Sequence, residues 1–153
     1  MPVRKLKEFL DREGIKYVTI SHSKAYTAQE VAASAHISGK EMAKTVMVKL
    51  DGKMAMVVLP ANHKVDFAQL ERDLGVKNAE LASEDEFRGL FPECDVGAMP
   101  PFGNLYDMDV FIEEGLIDND RITFNAGSHT EVIRVPMNDF QRLVKPKVFK
   151  AAQ

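Results

Sequence analysis

The stretch that decides the fold is residues 45–59, TVMVKLDGKMAMVVL. Two runs rich in β-branched and apolar residues, Thr45–Leu50 and Lys53–Leu59, flank the dipeptide Asp51-Gly52. Asp-Gly between two such runs favours a type I′ turn, so the stretch predicts a β-hairpin. The second run is apolar at nearly every position, which predicts a strand near the centre of a sheet.

Short helices are predicted on both sides of this hairpin. Capping boxes begin at Thr27, Asp66 and Ser83, each with Glu or Gln three residues later. Such a pair satisfies free N–H groups in the first turn of a helix. Glycine favours the left-handed conformation that ends helices, so Gly14 is expected to end a first helix and Gly75 the helix that begins at Asp66.

Further strands are predicted at four places: Tyr17–Ile20, Asp109–Ile112, Arg121–Asn125 and Thr130–Val135. Asn138 or Asp139 is expected to cap a final short helix, and the tail after Lys145 is expected to fray. Strands and helices are interspersed without regular βαβ alternation. This pattern predicts an α+β fold with a mixed, mostly antiparallel sheet flanked by short helices.

Bulk properties indicate one domain over residues 1–153. The net charge of −3 argues against a protein that coats nucleic acid, and no DNA partner is expected. Cys94 is the single cysteine, which fits a reducing compartment. The longest apolar run, 54–61, is too short to span a bilayer, and the N-terminus is unlike a signal peptide, so no membrane partner and a cytoplasmic location are expected.

The residues that usually carry metal or covalent chemistry are scattered. No two of His22, His36, His63 and His129 have ligand spacing, so no metal site is predicted. For Cys94, a small buried apolar residue is the favoured interpretation over a nucleophile. Phosphate-binding and dinucleotide-binding glycine motifs are absent, and no cofactor is expected.

Lys44 stands directly before the first strand of the hairpin. A lysine at the start of a strand can present its ammonium at the rim of a sheet, where it can hold a phosphate or polarise a carbonyl. A solvated lysine is the commoner outcome for this residue type. Both interpretations stay open from the residues alone.

The segment 97–103, GAMPPFG, is the most unusual local stretch. Glycine lets the backbone approach a ligand, whereas proline fixes φ and removes a donor. The loop is therefore stiff, and its remaining N–H groups can converge on a carbonyl or an oxyanion. A rigid surface turn explains the same residues equally well.

The turn 125–130, NAGSHT, joins two predicted strands and offers Gly127, Ser128 and His129. His129 could orient a substrate or a water molecule. Taken alone, an ordinary hairpin turn with a surface histidine is favoured.

In this order, the stretches resemble the YbaK/ProX family, the free-standing relatives of the editing domain of bacterial prolyl-tRNA synthetases. The resemblance runs from about Gly14 to Val144 and depends on the order and spacing of its parts. They are His22, Tyr26–Ala32, Lys44-Thr45-Val46, Val58–Ala61, Val65-Asp66, Leu70, Gly97 with Pro101, and Ala126-Gly127.

The resemblance implies a fold and an activity. The fold is that of the YbaK and prolyl-tRNA-synthetase-associated domains, with a barrel-like, mostly antiparallel sheet. The activity is that of a trans-editing aminoacyl-tRNA deacylase, a hydrolase that cleaves the ester of a mischarged tRNA. A small amino acid on tRNA-Pro or a similar tRNA is the expected substrate. The implied partners are the 3′ end of aminoacyl-tRNA and an aminoacyl-tRNA synthetase.

The resemblance also implies residue roles. Lys44 would hold a phosphate or the aminoacyl carbonyl, and backbone N–H groups of Gly97, Ala98 and Met99 would stabilise the oxyanion. Water would attack without a protein nucleophile. The expected substrate contacts are His22, Tyr26, Thr27, Pro100, Pro101, Phe102, Gly127, Ser128 and His129.

Two other functions fit the same residues. One is a non-catalytic module that binds tRNA or a synthetase, and the other is a hydrolase for another small ester or nucleotide conjugate. Pro100 beside Pro101 stiffens the loop beyond the family motif, and residues 128–131 follow Ala126-Gly127 where relatives vary, which leaves the edited amino acid open. Two roles are open for four further lysines, contact with phosphate or a solvated surface position: Lys40, Lys49, Lys53 and Lys64.

Overall fold

A computed structural model describes residues 4–21, 41–91, 94, 98–128 and 130–150. The helix predicted from Thr27 lies outside these residues.

The helices are α1 (Arg4–Arg12), α2 (Phe67–Leu74), α3 (Glu84–Phe87), α4 (Glu114–Ile117) and α5 (Met137–Val144), with 3₁₀ turns at Arg88–Leu90 and Gly103–Leu105. The strands are β1 (Val18–Ser21), β2 (Ala43–Leu50), β3 (Lys53–Pro60), β4 (Ala79–Leu81), β5 (Asp109–Glu113), β6 (Arg121–Asn125), β7 (Glu131–Pro136) and β8 (Lys147–Phe149).

These strands form two sheets. The larger has the order β4-β2-β3-β5-β8, and the smaller has the order β1-β7-β6. The smaller sheet is antiparallel, as are the β4–β2 and β2–β3 pairs, whereas β3–β5 and β5–β8 are parallel. The predicted α+β fold with a mixed, mostly antiparallel sheet is confirmed. The described strands do not close into a barrel.

The hairpin has the predicted turn. Asp51 and Gly52 both have positive φ, 51° and 84°, as a type I′ turn requires. The register runs from Ala43 opposite Pro60 to Leu50 opposite Lys53, and β3 is the central strand of its sheet. The confirmed hairpin therefore fixes which end of β3 lies beside the start of β2.

The predicted helix signals mostly hold. Asp66 accepts the N–H of Gln69 at 3.1 Å, and Gly75 ends α2 with φ 69°. Ser83 and Glu86 cap α3 reciprocally, at 2.8 and 3.3 Å. These caps depend on neighbours within four residues, which explains why the sequence reveals them.

Two predictions about the C-terminal part are wrong. Pro136 precedes α5 without a side-chain cap, so neither Asn138 nor Asp139 has the predicted role. Proline presets the backbone there, and no capping side chain is used. The described part of the tail after Lys145 is ordered, because Lys147–Phe149 pairs with β5 and buries Phe149 in the core.

The larger sheet separates two hydrophobic cores. Ala43 and Met47 of β2 contribute to the first core, with Phe102 and Phe124. Val48 and Leu50 of β2 contribute to the second, with Val57, Leu59, Leu70 and Phe111. Side chains alternate between the faces of a strand, so Lys44 lies on the face of the second core.

Glu41 joins the two sheets just before β2. Its carboxylate accepts hydrogen bonds from Thr123 Oγ1 at 2.6 Å, Arg134 Nε at 2.9 Å and Arg121 Nη2 at 3.1 Å. Beside it, Met42 forms a parallel bridge with Thr123 of β6. The start of β2 is thereby fixed against β6.

Glu41→Gln is expected to lower the free energy of unfolding by about 1–3 kcal/mol at neutral pH, since a partly buried charge network is broken. Burial would raise the pKa of Glu41, but the Thr123 hydrogen bond and the Arg134 and Arg121 charges outweigh it and lower the pKa. Because the pKa of Glu41 is lower in the folded state, its charge stabilises the fold when the pH is above the pKa of the unfolded state. This stabilisation is lost as the pH falls through the pKa of the folded state.

Urea unfolding from pH 7 to pH 3 measures this effect. The difference between the wild type and Glu41→Gln should shrink towards pH 3. Glu80→Gln is the matched control, because Glu80 is exposed and makes only long contacts, with Lys49 at 3.7 Å and with Asn78 Nδ2 at 3.4 Å. A difference that is absent at pH 7, or that grows in acid, contradicts the prediction.

Candidate functional site

Lys44 is the second residue of β2 and lies opposite Leu59. Its side chain is half-buried, and no carboxylate of the described residues pairs with it. Burial is the main cause that lowers its pKa, and the charge of Lys64 adds to the effect. A lysine held partly out of water without a counter-ion is suited to a negatively polarised ligand group.

The loop after residue 97 is fixed by the turn after β6. Gly127 donates its N–H to the carbonyl of Ala98 at 2.9 Å, and its φ of 96° suits glycine. Ala98 is 0% exposed and Met99 4%. Within the described residues, no backbone acceptor receives the N–H of Ala98 or Met99. Buried donors are normally paired, so these two are available to a ligand acceptor.

Strand β6 connects Lys44 to this loop. The parallel bridge between Met42 and Thr123 places β6 beside the start of β2. Two residues after Asn125, the chain reaches Gly127, which binds Ala98. The start of β2, the turn and the loop therefore lie at one end of the structure.

Asn125 is a site residue that the sequence did not single out. It ends β6, is 8% exposed, and its buried Oδ1 has no hydrogen-bond partner. Asn125 lies two residues after Thr123, whose bridge to Met42 sets β6 beside the start of β2, and its side chain is on the same face of β6 as that of Thr123. A buried acceptor without a donor is costly, so Oδ1 is suited to a donor on a ligand. In the sequence, an asparagine before Ala-Gly is typical of a turn residue, so its buried Oδ1 could not be predicted.

Phe102 has a structural environment that the sequence did not indicate. It is 0% exposed, and its ring centroid lies 6.2, 5.3 and 5.4 Å from those of Phe9, Phe124 and Phe140. It therefore anchors the loop to the first core, and its ring, enclosed by three others, does not make the predicted substrate contact.

The other predicted contacts fall into two groups. Pro100 and Pro101 are buried within the loop. Ser128 is buried in the turn, and its Oγ lies 3.4 Å from Thr130 Oγ1. The residues His22, Tyr26, Thr27, Gly97 and His129 lie outside the described residues, and their roles stay predictions.

The described part of the chain contains no group of three or more His, Cys, Asp and Glu residues that could hold a metal ion. None of its helices is long and apolar enough to cross a membrane.

Comparison with protein families assigns residues 22–143 to the aminoacyl-tRNA editing domain. The proline–tRNA ligase of Bacillus cytotoxicus is 31% identical over 88 residues, and that of Bacillus mycoides 27%. Each match covers 58% of this chain and only 15% of the ligase.

Solved structures share the fold. One, described as a proposed trans-editing enzyme for prolyl-tRNA synthetase, has a TM-score of 0.82 at 18% identity and covers 98% of this chain and 96% of its own. A hypothetical protein has a TM-score of 0.85 at 18% identity, with 98% and 100% coverage.

Proposed function

The chain belongs to the aminoacyl-tRNA editing domain family, and we propose that it is a trans-editing deacylase. It hydrolyses the ester that joins a wrongly attached amino acid to the 3′ end of a tRNA. The amino acid is small, and the tRNA is tRNA-Pro or a similar one. The ligase relatives support this choice of tRNA.

The observation that carries the proposal is a set of polar groups at one end of the structure that have no partner among the described residues. They are the ammonium of Lys44, Oδ1 of Asn125 and the N–H groups of Ala98 and Met99. An aminoacyl ester supplies their complements: a carbonyl oxygen for the N–H donors, a phosphate or carbonyl for the lysine, and an α-ammonium for the amide oxygen.

In this proposal the loop holds the ester carbonyl. The N–H groups of Gly97, Ala98 and Met99 donate to its oxygen, and their donation strengthens as negative charge develops there. Pro100 has no N–H, so the series of donors ends at Met99. Phe102, enclosed by three rings, keeps these donors from moving when the charge develops.

Lys44 places the substrate by binding the phosphate of the terminal nucleotide or the carbonyl. A water molecule, assisted by the ribose hydroxyl of the substrate, attacks the ester carbon. The tetrahedral intermediate then expels the ribose oxygen, which takes up a proton. The products are the free amino acid and the intact tRNA, and no covalent bond to the protein forms.

Oδ1 of Asn125 accepts from the α-ammonium of the amino acid. A hydrogen bond of this kind favours a free amino group over an acylated one, because acylation removes the charge. The size of the amino acid is selected by buried residues of the loop, Met99 and Pro100 among them. The activity belongs in the cytoplasm, where the synthetase that makes the error is the second partner.

A panel of tRNA-Pro charged with alanine, cysteine, serine or threonine tests the proposal. Release of labelled amino acid should exceed the spontaneous rate for at least one pair, and correctly charged prolyl-tRNA should be spared. If none of the charged tRNAs is hydrolysed although tRNA binds measurably, the protein is instead a non-catalytic binding module.

A further inference from the structure

A carboxylate–imidazole pair lies at the same end of the larger sheet but takes no part in the chemistry above. Glu113, the last residue of β5, has a side chain that is 0% exposed. Its Oε2 and Oε1 lie 2.7 and 3.0 Å from Nδ1 of His63. If Glu113 is a carboxylate, both of its oxygens accept from Nδ1, which then carries the proton, and Nε2 faces away from this pair.

His63 lines a cavity of about 300 Å³. The other residues around it are Pro60, Asn62, Gly115, Asp118 and Asn119. This volume is at the lower end of the range for ligand cavities and suits one nucleoside better than an extended chain. The side chain of His63 is 37% exposed, so a ligand in the cavity can reach its ring.

The cavity is close to the proposed ester site. Pro60 lies opposite Ala43, and Leu59 lies opposite Lys44. The parallel register between β3 and β5 pairs Val58 with Ile112, and its next step places Leu59 beside Glu113. Lys44 and Glu113 therefore occupy one row across neighbouring strands, two strand spacings or roughly 10 Å apart.

The charge of the lining selects the chemistry of the ligand. Asp118 on the wall and Glu113 beneath His63 disfavour a phosphate or carboxylate in the cavity. A neutral base with an amino group suits it, because the amino group can donate to a carboxylate or an amide oxygen. Asparagine pairs well with the N6 and N7 atoms of adenine, and RNA bases stack on histidine rings.

We propose that this cavity binds the base of the terminal adenosine of tRNA, with Asn62 on the base edge and the His63 ring fixed by Glu113. The inference rests on the proposed function, since the ester is carried by the ribose of that nucleotide. His63 and Asn62 are positioning residues: they bring the ester to the loop and contact no reacting atom.

Binding of the trinucleotides CCA and CCU to the full chain tests the inference without any ester. NMR titration with CCA should shift the ring C–H resonances of His63, and CCU should bind about 10-fold more weakly. Asn62→Ala, which leaves the Glu113–His63 pair intact, should weaken CCA binding about 10-fold. Asn138→Ala is the matched control, because Asn138 is exposed on α5, and it should leave binding unchanged.

The outcomes separate this inference from the proposed function. CCA and CCU binding equally, or an unchanged affinity in Asn62→Ala, overturns the inference even if mischarged tRNA is hydrolysed. Discriminating CCA binding without hydrolysis of any mischarged tRNA overturns only the proposed function. If hydrolysis is found, Asn62→Ala should raise KM about 10-fold and leave kcat within 2-fold. If His63→Gln lowers the melting temperature but leaves CCA binding unchanged, the Glu113–His63 pair is purely structural and the inference is overturned.

Discussion

Lys44→Met is expected to lower kcat/KM for the mischarged tRNA by about 100-fold or more, the range found when one group that stabilises a developing charge is removed. Methionine keeps an unbranched apolar side chain on this face of β2 and removes the ammonium. Single-turnover release of labelled amino acid measures the effect, after subtraction of spontaneous hydrolysis.

The stability of the same variant distinguishes a functional lysine from a structural one. Lys44 is half-buried and makes no ion pair with the described residues, so removing its charge relieves a desolvation cost. The melting temperature of Lys44→Met should therefore stay the same or rise. Lys77→Met, at an exposed lysine, is the control and should leave both activity and stability unchanged. Unaltered hydrolysis in Lys44→Met would remove Lys44 from the mechanism.

The pH dependence provides a second measurement of the same role. Burial, and then the charge of Lys64, lower the pKa of Lys44. If the ammonium is the active form, kcat/KM should fall as pH rises through this lowered pKa, below the ordinary range for lysine. Lys64→Gln removes one cause and should move the basic limb of the profile to higher pH. A basic limb that stays in place contradicts the assignment.

The sequence revealed features that depend on near neighbours. The turn at Asp51-Gly52 needs only two residues that tolerate positive φ, and the Ser83–Glu86 box needs only a spacing of three. Lys44 and the loop could be singled out in the same way, as a strand start and a run of glycine and proline. Their joint assignment came from the family resemblance.

Features that depend on distant contacts could not be predicted in this way. The strand Lys147–Phe149 has only three residues, too few for a recognisable strand pattern, and it forms because it pairs with β5. Phe102 follows two prolines and looks like a loop residue, but rings from α1, β6 and α5 enclose it. Asn125 and Glu113 acquire their properties from burial, which the sequence does not report.

Gly103→Ala is expected to lower the free energy of unfolding by about 1–3 kcal/mol, as overpacking does, and to reduce deacylation as well. A Cβ atom at this position would lie 2.6 Å from the carbonyl oxygen of Met108 and 2.6 Å from Cγ2 of Val110. The carbonyl of Gly103 also accepts the N–H groups of Tyr106 and Met108, both at 2.9 Å. The backbone must therefore move to admit even a methyl group.

That movement reaches the proposed oxyanion donors through Phe102. Gly103 follows Phe102 directly, so displacing it disturbs the ring packing of the core cluster to which Met99 also belongs. Urea unfolding and single-turnover hydrolysis measure the two effects. Gly89→Ala is the matched control, because a Cβ there meets no atom within 4 Å, and it should change stability by less than about 0.5 kcal/mol. If Gly103→Ala loses stability but, in its folded fraction, hydrolyses the ester at the wild-type rate, the loop does not need this support, and the donors must be held by the Gly127 contact alone.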